Sequence, residues 1–285
     1  MLQCKSVSSM LDGIDITETI TRGKIILFLD GVDFNDCPSI PLLPLVHTSN
    51  TLDGKMYIDT EKITKPQKRC ENFEDNPVYL FYGKPAYRCK NEKTGDAGEL
   101  MMVFILKDYP KISSDIIRVY PLDTGALSHG FYDGYKINSW SFDNFKQDFM
   151  MNTDIKQLPK HVSLFWDNNN GYFRYFVAPK FDKISVANSC VIEAFLELIT
   201  SKSTTIFDDR CAVVEVHSEV INSLLDHIQA IVVADTIFTD EEKGVLESRN
   251  IIVREYPTFG RHEPKEDYTL ILNTVLEYYT EIGII

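Results

Sequence analysis

No apolar run approaches the roughly twenty residues that cross a bilayer, and the first short one, Ile25 to Leu29, stops at Asp30 and Asp33. A secretory leader needs a longer apolar centre, so a cytoplasmic protein without a membrane span is expected. The six cysteines, at positions 4, 37, 70, 89, 190 and 211, form no CxxC pair and lack the spacing that staples small secreted folds. They read as free thiols of a reducing compartment. Among the six histidines there is no HxxxH or HExxH pair, so a metal centre would have to gather distant ligands, and none is expected. Gly125, Gly130 and Gly134 stand too far apart for a dinucleotide fingerprint or a phosphate-cradling loop. Positive charge is short too: 29 basic against 42 acidic residues leave a formal charge of -13, which repels a phosphate backbone. One local exception is the run containing Lys62, Lys65, Lys68, Arg69, Lys84, Arg88, Lys90 and Lys93, for which a solvated basic face is the simpler account.

What is present suffices for a large core. The chain has 285 residues, 44% of them hydrophobic and 12% aromatic, which argues against disorder and allows one large domain or two smaller ones. Residues 1–44 read as a lead-in segment with one strand at Lys24 to Leu29, and residues 45–238 as the main domain. Residues 239–285 read as a C-terminal helical extension packed on the same core. Val78 to Tyr82, Met101 to Leu106 and Ile116 to Tyr120 suit strands by residue type. A helix is expected with Ser141 or Asp143 near its N-cap and with Phe142, Phe145 and Phe149 on one face, and another over Asn188 to Lys202. Gly171 to Pro179 reads as an extended aromatic stretch. Then follow a strand at Ala212 to Val216, a short helix at Glu219 to Ile228 and a strand at Ala230 to Val233. A helix opening at Thr239, with Glu241 and Glu242 in its first turn, a strand at Ile251 to Tyr256 and a helix at Asp267 to Ile282 complete the chain. Strands that cluster early and recur late, with unequal spacers, indicate an α+β fold.

Three segments carry candidate chemistry. His47-Thr48-Ser49 follows the apolar pair Leu45-Val46. A histidine at a strand end can hydrogen-bond a ribose hydroxyl, with Thr48 and Ser49 bracing it, although a turn-closing histidine is the plainer account. The aromatic strand that holds Tyr79 and Tyr82 runs through Gly83-Lys84-Pro85-Ala86 into Tyr87-Arg88. Its tyrosines offer flat faces to an aromatic ligand and Arg88 a fork to a diphosphate, while the same residues can equally pack a sheet. In Arg210-Cys211-Ala212-Val213-Val214-Glu215-Val216-His217, steps of two put Val213, Glu215 and His217 on one strand face. A lone carboxylate there costs several kcal/mol unless it is paired or used, so Glu215 is the leading candidate for a catalytic acid, with a salt bridge as the structural alternative.

Taken in order, the His-Thr-Ser trio, the aromatic strand leading to Tyr87-Arg88, and the late Arg210 to Glu215 strand resemble the ADP-ribosyltransferase superfamily. The pattern is most similar to the branch of DNA-modifying bacterial toxins and RNA 2′-phosphotransferases. It spans about His47 to Val233 and is loose. The resemblance implies a split mixed sheet with flanking helices, NAD as the bound dinucleotide, and either ADP-ribosyl transfer or NAD glycohydrolysis in a bacterial toxin or anti-phage effector. It also implies roles: His47 on the ribose, Tyr82 stacked on nicotinamide, and Glu215 as the catalytic glutamate. The acceptor, protein or nucleic acid, stays open, as does pairing with a protein partner or a second copy. Two further readings stand beside it. One is a non-catalytic binding or scaffold module of a bacterial conflict system. The other is a metal-dependent nuclease using Asp123, Asp133 or Asp209. Asp123-Thr124-Gly125 matches an aspartic-protease signature, yet the second copy needed for a carboxylate dyad is missing.

Overall fold

The computed structural model describes residues 24–26, 29, 40–66, 72–86, 100–107, 113–128, 130, 132–179, 190–201, 213–258 and 264–285. Strand β1, Leu45–Asn50, sits mid-sheet, antiparallel to β3, Val78–Tyr82, on one side and to β4, Met101–Leu106, on the other. Outward from β3 come β6, Glu215–Ser218, and the edge strand β5, Ile116–Tyr120, both antiparallel. Outward from β4 come β8, Ile228–Ala234, and β9, Ile252–Tyr256, whose mutual pairing is parallel. The result is one seven-stranded mixed sheet, beside a two-stranded ladder of β2, Lys62–Ile63, and β7, Ile221–Asn222. The α+β class therefore holds. The seven strands are hydrogen-bonded continuously, neighbour to neighbour.

Both faces are covered. Residues Met102 to Leu106 of β4 are fully buried, as a continuous apolar run requires when elements pack on each side. On one face lies helix α1, Thr51–Thr60, which starts at the end of β1 because Asn50 accepts the Asp53 N–H at 2.7 Å. Its Tyr57 ring meets His47 and Phe104. The other face is capped by α3, Phe142–Asp148, whose Phe142 and Phe145 join Phe73 and Tyr120. Between α1 and α3 in the chain runs the single-turn helix α2, Thr124–Ser128. Helices α4, Leu158–Trp166, α5, Asn169–Phe173, and α6, Cys190–Thr200, add a second aromatic cluster around His161, Phe165, Trp166 and Phe195.

The remaining elements extend the sheet rather than stand apart. After the short α7, Leu224–His227, strand β8 leads through α8, Asp240–Ser248, into β9, and α9, Pro264–Glu281, packs against both strands. Hydrogen bonding across β8 and β9 thus bridges the boundary placed at residue 238. Some expectations need correction. Ile25, Ile26 and Leu29 are helical, not extended. Gly171 to Pro179 opens in α5 because Asn168 caps it at the Gly171 N–H, 2.8 Å away. The strand expected from Ala212 begins at Glu215, and Ile221–Asn222 pairs as β7 where helix was expected. Among the described residues no helix is long and apolar enough to cross a membrane.

Candidate functional site

Glu215 opens β6 between Phe81 of β3 and Tyr120 of β5, and only 1% of it is exposed. Its carboxylate accepts from the Thr124 N–H at 3.2 Å, from the Thr124 hydroxyl at 2.6 Å and from His217 Nε2 at 2.5 Å. Thr124 is aimed by the turn it begins: Asp123 Oδ1 accepts the Ala126 N–H at 2.9 Å, and the Tyr132 hydroxyl donates to the Asp123 carbonyl at 3.1 Å. Two residues along the strand, His217 shares the Glu215 face and is fully buried. Arg118 Nε donates to its Nδ1 at 3.2 Å, and Arg118 also pairs with Asp75. Phe73 and Tyr79 close edge-on over the imidazole, with ring centroids at 4.5 and 4.9 Å. Burial, reinforced by the Arg118 charge, pulls the His217 pKa down to about 3. The ring is therefore neutral at pH 7.

The other candidates divide between the two faces of the sheet. Val46 is paired with Phe81, and Phe81 with Glu215, so alternation puts Thr48 and Tyr79 on the Glu215 face. His47, Ser49 and Tyr82 point to the opposite face. His47 Nδ1 donates to the Tyr79 carbonyl at 2.8 Å, and its ring lies against Tyr57 and Phe104. Burial lowers its pKa, and its buried Nε2 meets no hydrogen-bond partner among the described residues. Ser49 donates to the Asn50 carbonyl. Tyr82 is fully buried: its hydroxyl accepts the Leu43 N–H at 3.0 Å, its carbonyl accepts the Tyr172 hydroxyl, and burial raises its pKa. His47 and Tyr82 thus lie on one face of the sheet and Glu215 on the other. Arg88 lies outside the described residues.

Of the basic run, the described residues are Lys62, Lys65 and Lys84. Lys65 pairs with Glu219, and Lys84 is fully buried with its ammonium 3.4 Å from the Tyr175 ring centre and 4.4 Å from that of Tyr172. Lys68, Arg69, Lys90 and Lys93 lie outside the described residues. Of the aspartates considered for metal chemistry, Asp123 caps α2 and Asp133 accepts from Asn138, while Asp209 lies outside the described residues. Among the described residues no group of histidine, cysteine, aspartate and glutamate is arranged to hold a metal ion.

Sequence reasoning found Glu215 and its neighbour His217 but not Thr124, Arg118 or Asp75. One signal was available: Arg118 is the lone charge in the apolar strand Ile116–Tyr120, and a charge placed there needs a partner. Comparison of the chain with family models, with curated proteins and with solved structures finds no match.

Proposed function

We propose that the chain breaks the bond between nicotinamide and ribose in NAD, passing ADP-ribose to water or to an acceptor, with Glu215 stabilising the charge that develops on the ribose. The observation that carries this is the Glu215 carboxylate, fixed on a sheet strand by the Thr124 N–H and hydroxyl and by His217. Burying such a group with a histidine stabilises a fold no better than an apolar pair of the same volume. Oriented, desolvated carboxylates are instead what sites of charge stabilisation need. Further support comes from the resemblance of the segments around His47, Val78 to Arg88 and Glu215 to ADP-ribosyltransferases, with the split-sheet fold of that superfamily as part of the proposal.

The division of faces reassigns the ligand contacts. Tyr79 and Thr48, on the Glu215 face, take the nicotinamide end. His47, Ser49 and Tyr82 become framework, and Arg88 keeps the diphosphate. A ribose hydroxyl approaching Glu215 replaces the Thr124 hydroxyl donor for donor, so access to the carboxylate need not lose a hydrogen bond. Consumption of NAD suits a toxin or anti-phage effector acting in cytoplasm. The test is incubation of the full chain with NAD, alone and with cell extract, followed by chromatography for nicotinamide. Release is expected from the native chain and not from Glu215→Gln; no release in either mixture removes the proposal.

A second reading, a non-catalytic binding module, is favoured by one specific observation. Glu215 is engaged by a buried base, while His47 and Tyr82 are packed inside the core. It predicts that NAD leaves the melting temperature of the native chain unchanged, where the enzyme proposal predicts a rise.

A further inference from the structure

We infer that Arg118 is a positioning residue for Glu215 that acts through His217, fixing which imidazole nitrogen carries the proton. Its relevance to catalysis rests on the NAD proposal, whereas the relay itself can be observed without it. Arginine has N–H donors and no acceptor, and it keeps its proton in proteins. The contact of Arg118 Nε with His217 Nδ1 at 3.2 Å therefore requires a bare lone pair on Nδ1. In a neutral ring the proton then sits on Nε2, and that N–H points at Glu215 Oε1, 2.5 Å away. With the opposite tautomer a lone pair would face the carboxylate at the same distance, and the contact would be repulsive. Asp75 pairs with Arg118 and so aims the guanidinium. Asp75, Arg118, His217, Glu215 and Thr124 thus form one chain of donors and acceptors from the half-exposed edge of β5 to the buried carboxylate.

The surroundings make this control sensitive to Arg118. Among the described residues, the titratable and charged groups facing His217 are Tyr79 on β3, Arg118 and Tyr120 on β5, Asp123 after β5, Asp75 on the loop and Glu215 on its own strand. Arg118 is the one cation in that set and opposes protonation of the imidazole, while Asp75 and Asp123 favour it. Loss of the guanidinium removes the donor that keeps Nδ1 bare, one of the two contacts that select the Nε2–H tautomer, and it removes the opposing charge. The Glu215–His217 pair should then take up a proton at higher pH than in the native chain.

The experiment is long-range 1H–15N spectroscopy of the full chain labelled at histidine, with His217 signals identified by their absence in His217→Gln. The native chain is expected to show protonated Nε2 and bare Nδ1 across neutral pH. Arg118→Met should admit some Nδ1–H form beside Nε2–H and move proton uptake of the pair upward by about one unit. Arg118→Lys, which still offers a donor, should restore the Nε2–H form. A native ring protonated at Nδ1, or an Arg118→Met spectrum with the native tautomer and native midpoint, overturns the inference. The buried His161 reports folding in the same spectrum; should Arg118→Met not fold, Asp75→Asn decides, with loss of the single tautomer expected and an unchanged ring refuting it. Nicotinamide release measured on the same samples separates the two ideas. The native tautomer with no release sinks only the NAD proposal, whereas release whose acid limb does not move in Arg118→Met sinks only the role of Arg118.

Discussion

The Tyr82 hydroxyl accepts the Leu43 N–H where both residues are fully buried. Tyr82→Phe removes that acceptor and should cost roughly 1–2 kcal/mol in urea unfolding. If Tyr82 is framework, nicotinamide release per folded molecule stays at the native level; a selective loss of release would return Tyr82 to the ligand. Glu215→Gln is the contrasting case. A carboxylate accepts at both oxygens, from Thr124 on one side and from Thr124 and His217 on the other. An amide brings an NH2 against one of those donors, so a cost of roughly 1–3 kcal/mol is expected. Thr124→Val, which removes only the hydroxyl, should cost about 1 kcal/mol. Because both changes touch one network, the double variant should lose less than the sum, and strict additivity would show that Thr124 and Glu215 are not coupled.

At the scale of the element, Gly171 is a necessity of packing. A Cβ there would come 2.2 Å from the Trp166 carbonyl oxygen, a backbone atom that cannot step aside. Gly171→Ala should therefore destabilise by about 3 kcal/mol through strain at α5. A melting temperature within a degree or so of native would refute that. Thr239→Ala, which breaks the reciprocal cap between Thr239 and Glu242 at the start of α8, should cost about 1 kcal/mol. These two cases also show what can be read from sequence. The cap at Thr239, the cap at Ser141 and the apolar strands β3, β4 and β5 are local patterns, and they appear where expected. Helix α1 is not local in that sense: Gly54 opposes helix by propensity, yet a Cβ there would sit 2.7 Å from Met102 Sδ. Helix α4 is buried almost all round, so no polar stripe marks its period. For the site, strand alternation made the pairing of Glu215 with His217 legible. The contacts to Thr124, Arg118 and Asp75 depend on register between strands far apart in the chain, which one sequence does not encode locally.

At the scale of the whole molecule, three buried imidazoles among the described residues, His47, His161 and His217, have lowered pKa values and shape the response to acid. Burial lowers His161 to about 3, and burial with Arg118 lowers His217 to about 3, against 6.5 when exposed. Above that exposed value both states are neutral and no protons separate them. Below it the unfolded chain binds protons that the folded chain refuses, so stability falls as the pH drops toward the folded pKa. Each such histidine contributes a slope of up to about 1.4 kcal/mol per pH unit. A second effect runs the other way, because a chain with charge -13 repels itself less as acids become protonated. Comparison of native chain and variant cancels that common background. His161 lies within an aromatic cluster and neither ring nitrogen has a hydrogen-bond partner among the described residues, so phenylalanine can replace it without breaking a bond seen there. His161→Phe should match or exceed native stability at neutral pH, and its advantage should grow by about 1 kcal/mol for each unit of acidification below about pH 6. Urea midpoints of the two proteins measured in parallel from neutral pH to about pH 5 give that difference directly. A gap that stays constant with pH would mean that His161 takes up its proton as readily in the folded chain as in the unfolded one.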